Sequence, residues 1–225
     1  MKLVRLKLER GYYSATEPLV RWLVRSGVQP NTITTVGTLL VVVSAVCYGV
    51  GSIRLGGAFL LLSGALDTLD GAVARQSGAA TDFGAFYDST LDRVSDGATF
   101  IGIATYLLFA PDVAYRNLAI ILAMIATLAS LVVSYARARA QGLGIDCRVG
   151  IAQRTERVVG LGAVSLLVGA GPRAIVLEGI VAILAVASII TVVQRVHFVY
   201  RATESAWRHR APEPTPAVPD SLVKG

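Results

Sequence analysis

Apolar and polar positions in this chain segregate into long blocks. Four runs carry no charge at all: Ser26–Ile53, Asn117–Ala136, Val158–Pro172 and Gly179–Gln194. A helix needs about 20 mostly apolar residues to cross a bilayer. The first two runs reach that length alone, and the other two reach it by extending into flanks that contain Arg157, Arg173, Glu178 or Arg195. Polar, glycine- and proline-bearing breaks at 75–81, 110–112, 142–148 and 169–172 separate the blocks. The pattern predicts six membrane helices, roughly 31–51, 55–77, 83–109, 115–140, 151–171 and 174–203. Asn31 or Thr32 is expected to cap the first of them.

The fold class expected is an all-α integral membrane protein, with six transmembrane helices preceded by an interfacial amphipathic helix. In Thr16–Arg25, Leu19, Trp22 and Leu23 share an apolar face while Arg21 and Arg25 point to headgroups. Three regions follow: a cytoplasmic or interfacial segment over 1–30, the membrane domain over 31–203, and a disordered cytoplasmic tail over 204–225. That tail holds four prolines, Pro212, Pro214, Pro216 and Pro219.

Composition agrees. The 225 residues are 54% hydrophobic and 16% charged, against about 25% charged in soluble domains. No short apolar core with a small-residue cleavage site follows the basic N-terminus, so no secretory signal is read there. Cys47 lies in an apolar run and Cys147 in a polar loop, which argues against a disulfide. His197 and His209 lack metal-ligand spacing. The net charge of +6 is better explained by membrane orientation than by nucleic acid. Lys2, Arg5, Lys7, Arg10, Arg21, Arg25, Arg75, Arg137, Arg139, Arg148, Arg154, Arg157, Arg195, Arg201, Arg208, Arg210 and Lys224 fall on one side, and only Arg54, Arg116 and Arg173 on the other. That asymmetry places both termini in the cytoplasm, in the cell membrane.

The chemistry concentrates in residues 67–92. Asp67 and Asp70 are three apart and share one helix face; Asp88 and Asp92, four apart, share another. The short turn between makes these helices antiparallel neighbours, so the pairs converge. An aspartate at mid-bilayer costs about 2.5–3.5 kcal/mol on insertion scales, so four form a functional cluster by default. Oxygen-only ligands favour hard cations, Mg²⁺, Mn²⁺ or Ca²⁺. Two divalent ions balance four carboxylates and are a common arrangement for displacement at phosphorus. Gly71 and Ala74 leave the helix bare beside Asp70, Gly84 does the same on the facing helix, and Arg75 follows one turn on as a phosphate ligand.

These residues read D-x-x-D-G-x-x-A-R, eight residues, then G-x-x-x-D-x-x-x-D, and so resemble the signature of the class I CDP-alcohol phosphotransferases. The resemblance implies a helical bundle, homodimeric, with a polar cavity open to the cytoplasm. It implies metal ligation by Asp67, Asp70, Asp88 and Asp92, with two Mg²⁺ ions (Mn²⁺ as an alternative) and Asp92 as general base. It further implies contact of Gly71, Ala74, Arg75, Asn31, Thr34 and Thr81 with a CDP-linked lipid. The reaction expected is attack of an acceptor alcohol on the β-phosphorus of CDP-diacylglycerol, releasing CMP.

For the acceptor, Ser134-Tyr-Ala-Arg137 and Gly150-Ile-Ala-Gln-Arg154-Thr-Glu-Arg157 are similar to phosphatidylinositol phosphate synthases and their archaeal ether-lipid counterparts. Arg137 stands where those enzymes often have lysine, and Gln153 where an acidic residue is common. Arg137, Arg154, Arg157 and Arg195 are the expected acceptor-phosphate ligands, with inositol 1-phosphate the leading acceptor and glycerol 3-phosphate the alternative. A catalytically inactive lipid-binding scaffold and a divalent-cation transporter are the readings from other classes. Gly71, Ala74 and Arg75 argue against the transporter, and an intact Asp92 against the scaffold. Arg93 is expected to pair with Asp96 or Asp88.

Overall fold

The computed structural model describes residues 16–208 and is helical throughout, with no strand among the described residues. We label the described part of the first helix, residues 16–25, α1. It is followed by α2 (Pro30–Gly49), α3 (Ile53–Ser77), α4 (Asp82–Phe109), α5 (Arg116–Gln141), α6 (Arg154–Leu167) and α7 (Ile175–Arg208); a 3₁₀ turn, Pro172–Ala174, precedes α7. The expected tail beyond Arg208 and the basic residues Lys2, Arg5, Lys7 and Arg10 lie outside the described residues.

Helix ends follow local chemistry. Proline sits in the first turn of α2, where its missing N–H is harmless. The residue before it, Gln29, is extended and gives no side-chain cap, so neither Asn31 nor Thr32 caps this helix. Gly78 ends α3 in the left-handed conformation (φ 67°), which favours glycine over any residue with a Cβ. Thr81 starts α4, its hydroxyl accepting the Gly84 N–H at 3.0 Å.

Around the bundle the helices form a closed ring: α2 packs on α3, α3 on α6, α6 on α7, α7 on α5, α5 on α4, and α4 back on α2. Glycines set the closest approaches. A Cβ on Gly57 would lie 2.7 Å from the Gly162 carbonyl of α6, and one on Gly102 of α4 2.3 Å from the Ala45 carbonyl of α2. Apolar side chains fill one end of the ring, centred on Tyr48, Leu60, Ile103, Leu107, Leu161 and Leu177. The other end carries the aspartates at 67–96 and most of the arginines. At the apolar end Glu178 accepts the Tyr115 N–H at 2.8 Å, and Arg173 pairs with Asp112 at 3.1 Å.

α2, α3, α5 and α7 are each long and apolar enough to cross a membrane, which makes this a multi-pass membrane protein. α4 and α6 fall outside that set for separate reasons. α4 has the length, 28 residues, but carries Asp82, Asp88, Asp92, Arg93 and Asp96. α6 has only 14 residues, about 21 Å of rise, where 151–171 was expected to be helical. Its start is delayed by the extended Gln153, and glycines at φ 80° and 72° (Gly169, Gly171) follow its end. α7 instead runs past 203 to Arg208.

α1 differs from expectation in which face it buries. Val20, with Leu23 and Val24, packs against Ile33 of α2 and Leu69 and Val73 of α3. Leu19 and Trp22 are exposed. The helix therefore has a protein-facing stripe beside an outward apolar one.

Candidate active site

Contrary to expectation, the short turn at 78–81 does not pack α3 closely on α4; both helices pack on α2, and their carboxylates reach one another across the gap. Asp67, Asp70 and Asp88 each bring one carboxylate oxygen within 4.8 Å of the others. Asp70 is buried, its Oδ2 accepting the Thr34 hydroxyl at 2.7 Å. Asp88 Oδ1 is buried with no hydrogen-bond partner among the described residues. A buried carboxylate oxygen left without a donor is costly unless something positive meets it. This all-oxygen trio with an orphaned oxygen fits a hard divalent ion.

Asp92, one turn further along α4, does not join that trio. Its Oδ1 meets Arg154 Nη2 at 3.1 Å, while Arg154 Nη1 lies 2.5 Å from Asp67 Oδ2. One guanidinium from α6 thus ties α3 to α4. Its Nε is buried and has no partner.

Two cavities open on either side of the carboxylates. The first, about 210 Å³, is lined by Asn31 and Thr34 of α2, Asp70, Gly71, Ala74 and Arg75 of α3, and Thr81, Gly84 and Asp88 at the α3–α4 turn. All six residues expected to contact the CDP-lipid line it. A Cβ built on Gly71 would lie 3.3 Å from Arg75 Nη1, so the arginine folds back over the bare glycine surface. Gly84 is equally tight, with Asn31 Oδ1 at 3.3 Å from its would-be Cβ.

The second cavity, about 540 Å³, lies between α3, α4, α5, α6 and α7. Asp67, Asp88 and Asp92 form one wall, and Arg137, Arg154, Arg157 and Arg195 all line it. The four arginines nevertheless differ in what they already hold. Arg157, only 3% exposed, is ion-paired with Asp96 and donates to the Ala152 carbonyl at 2.9 Å. Arg195, 2% exposed, donates to the Val149 carbonyl at 2.9 Å and the Val133 carbonyl at 2.5 Å. Arg154 is on Asp67 and Asp92. Arg137 is half-buried and has neither ion pair nor hydrogen bond among the described residues.

Arg93 pairs with neither Asp96 nor Asp88; it donates to the Ser89 carbonyl one turn back. Asp96 holds Arg157 instead. Thr191 escaped the sequence reading, and so did the role of Gly150. Thr191 of α7 accepts the Ala152 N–H at 3.0 Å, and Gly150, at φ 137°, lets the loop pass so close to Thr191 that a Cβ would sit 2.3 Å from its Cγ2. Together with Arg195 they fasten residues 149–152 to α7 and so aim Arg154 at the carboxylates. The backbone at Gly150 requires a glycine, but only its partner Thr191, 41 residues on, shows why.

Comparison with known proteins agrees with this geometry. A family model described as CDP-alcohol phosphatidyltransferase matches residues 28–194. The chain is 34% identical to a phosphatidylinositol phosphate synthase of Mycolicibacterium smegmatis over 88% of its own length and 90% of that protein's. Solved structures of the phosphatidylinositol phosphate synthase of Mycobacterium tuberculosis superpose well. The form with CDP-DAG bound gives a TM-score of 0.72 at 36% identity, covering 82% of this chain and 93% of that one. The form with manganese and citrate gives 0.72 at 37%, covering 82% and 88%.

Proposed function

This chain belongs to the CDP-alcohol phosphatidyltransferase family, and from that premise we propose that it transfers a phosphatidyl group from CDP-diacylglycerol to inositol 1-phosphate, releasing CMP. That it is a CDP-alcohol phosphatidyltransferase follows from the family; the donor, the acceptor and the roles of individual residues are our reading. The observation that carries it is the second cavity, where three carboxylates and five arginines share one space of about 540 Å³. A phosphorylated acceptor needs cations for its phosphate and a base for its hydroxyl, and this cavity offers both. The similar proteins named phosphatidylinositol phosphate synthase support inositol phosphate in particular.

The CDP group occupies the first cavity, its flat base and ribose against Gly71 and Ala74 and its diphosphate near Arg75. Asp67, Asp70 and Asp88, joined by Asp92, hold two divalent ions, Mg²⁺ by preference, which supply positive charge to the diphosphate oxygens. Asp92 takes the proton from the acceptor hydroxyl. The freed oxygen pair forms a bond to the β-phosphorus, the P–O bond to the CMP phosphate breaks, and CMP leaves with the electron pair of the broken bond. Arg137 grips the acceptor's phosphate, with Arg154 beside it, while Arg157 and Arg195 shape the cavity and contribute field.

Six crossings with both termini cytoplasmic belong to the same proposal. The end of the ring holding the cavities carries Arg75, Arg137, Arg139, Arg148, Arg154, Arg157, Arg195 and Arg201; the opposite end carries Arg54, Arg116 and Arg173. On this reading α1 lies in the cytoplasmic interface through Leu19 and Trp22, and the protein works as a homodimer.

The purified protein, given CDP-diacylglycerol, Mg²⁺ and a panel of alcohols, is expected to release CMP with inositol 1-phosphate and not with glycerol 3-phosphate. The reverse preference replaces the acceptor assignment. A failure to release CMP with any of the alcohols removes the enzymatic reading.

A further inference from the structure

Arg154 is the one cavity arginine that binds the carboxylates expected to hold metal. Its two terminal nitrogens go to Asp67 and Asp92 and bridge helices α3 and α4. Asp67 also belongs to the trio whose oxygens lie within 4.8 Å of one another. A guanidinium and a divalent ion on the same carboxylates repel each other in a site sheltered from water. The two cations therefore compete. The side chain has somewhere else to go, since it lines the cavity shared with Arg137, and its buried Nε has no partner holding it in place.

We infer that Arg154 is an internal counter-cation that competes with divalent metal for Asp67 and Asp92, and that on losing this competition it turns to the acceptor's phosphate. Metal loading and anion binding are thereby coupled: metal displaces Arg154 from the carboxylates and frees it for the anion, and an anion on Arg154 frees the carboxylates for metal, so each tightens the other, reciprocally. Arg157 and Arg195 cannot serve this way, because Asp96 and backbone carbonyls hold them whatever the metal content. The inference rests on the proposed roles of the carboxylates and of this cavity, and it adds a coupling between metal and acceptor to the reaction.

The test is Mn²⁺ affinity of the intact protein in detergent, read by electron paramagnetic resonance of free Mn²⁺, without CDP-lipid or acceptor. Removing an ordinary part of a site weakens metal binding. Arg154→Gln is expected instead to tighten it, by about fivefold or more for a coupling of ordinary size. Arg137→Gln removes an equal charge from the same cavity without touching a carboxylate, and is expected to change Mn²⁺ affinity less. Inorganic phosphate is expected to tighten Mn²⁺ binding in the unmodified protein and to lose most of that effect in Arg154→Gln. Unchanged or weaker Mn²⁺ binding in Arg154→Gln overturns the inference. So does an equal gain in Arg137→Gln, which would reduce the effect to general field. Because no turnover is measured, a protein that shows the Mn²⁺ gain but no CMP release keeps this inference and loses the functional proposal. CMP release without the gain does the opposite.

Discussion

The two cavities are built by different means although Asp88 lines both. The first is assembled almost wholly from 54 consecutive residues, 31–84, on helices joined by short turns. Its surface is bare: small residues, a single arginine folded over a glycine, and one buried carboxylate held by a neighbouring threonine. The second gathers side chains from five helices and from positions as far apart as 67 and 195. Its charges are largely engaged with one another or with backbone. A nucleotide platform needs space and flat contact, which small residues at helical spacing supply. A site for a doubly charged phosphate needs cations kept in a low-dielectric place, and these must be anchored when no phosphate is there. Lining the second cavity is therefore a poor guide to which arginine touches the acceptor.

Replacements that separate these roles test the contrast, and the largest effect belongs to the carboxylate wall of the second cavity. Asp92→Asn keeps the shape of the residue and removes its ability to take a proton. Turnover is expected to fall by about 10²–10⁴-fold, the usual weight of a positioned base, while CDP-lipid affinity measured by direct binding stays within about twofold, since Asp92 does not line the first cavity. Full turnover in this variant would remove Asp92 as the base and leave the wall as a metal site alone.

Next comes the anchoring of the second cavity. Asp96→Ala strands the Arg157 guanidinium, which is 3% exposed. Breaking one partner of a buried pair costs about 3–5 kcal/mol, to be read as a lowered unfolding temperature in detergent. Replacing both, as Asp96→Leu with Arg157→Met, is expected to recover much of the loss. If Asp96→Ala unfolds normally and only acceptor KM rises, Arg157 is a ligand and the division between anchors and ligands fails.

The same contrast explains what the sequence made legible. Helix number and most helix bounds followed from the long apolar blocks. Asp67, Asp70 and Asp88 were legible from i, i+3 and i, i+4 spacing on α3 and α4, whereas Asn31, Thr34 and Thr81 were expected only from the family resemblance. The second cavity was legible as a membership list and not as a set of roles. Arginines 137, 154, 157 and 195 do converge, yet their assignments depend on Asp96, Val133, Val149 and Ala152, partners 5 to 62 residues away. The short α6 was obscured for a similar reason. Residues 149–152 are held off the helix by Thr191 and Arg195 of α7, and no local pattern announces that contact.

Arg137, the cavity arginine with no partner among the described residues, gives the clearest ligand prediction. A hydrogen bond to a charged group contributes about 1.5–3 kcal/mol, on the order of ten- to a hundredfold in affinity. Arg137→Ala is expected to raise acceptor KM by that factor, with CDP-lipid KM and unfolding temperature little changed. A matching rise in both KM values would mean that the two cavities are not separate subsites.

The smallest effect belongs to Thr81, which combines the two kinds of role within the first cavity. Its hydroxyl oxygen already accepts the Gly84 N–H at the start of α4, so its structural duty uses a lone pair, and its proton remains free for the CDP group. Thr81→Ala removes both. The loss of the cap lowers stability by about 1 kcal/mol, and the lost donor raises CDP-lipid KM while acceptor KM stays level. Thr81→Ser keeps the oxygen and its proton and is expected to behave like the parent on both counts. A stability loss in Thr81→Ala with no change in donor KM would make Thr81 a helix cap that merely borders the cavity, and the first cavity would then resemble the second in containing side chains whose task is to hold the wall.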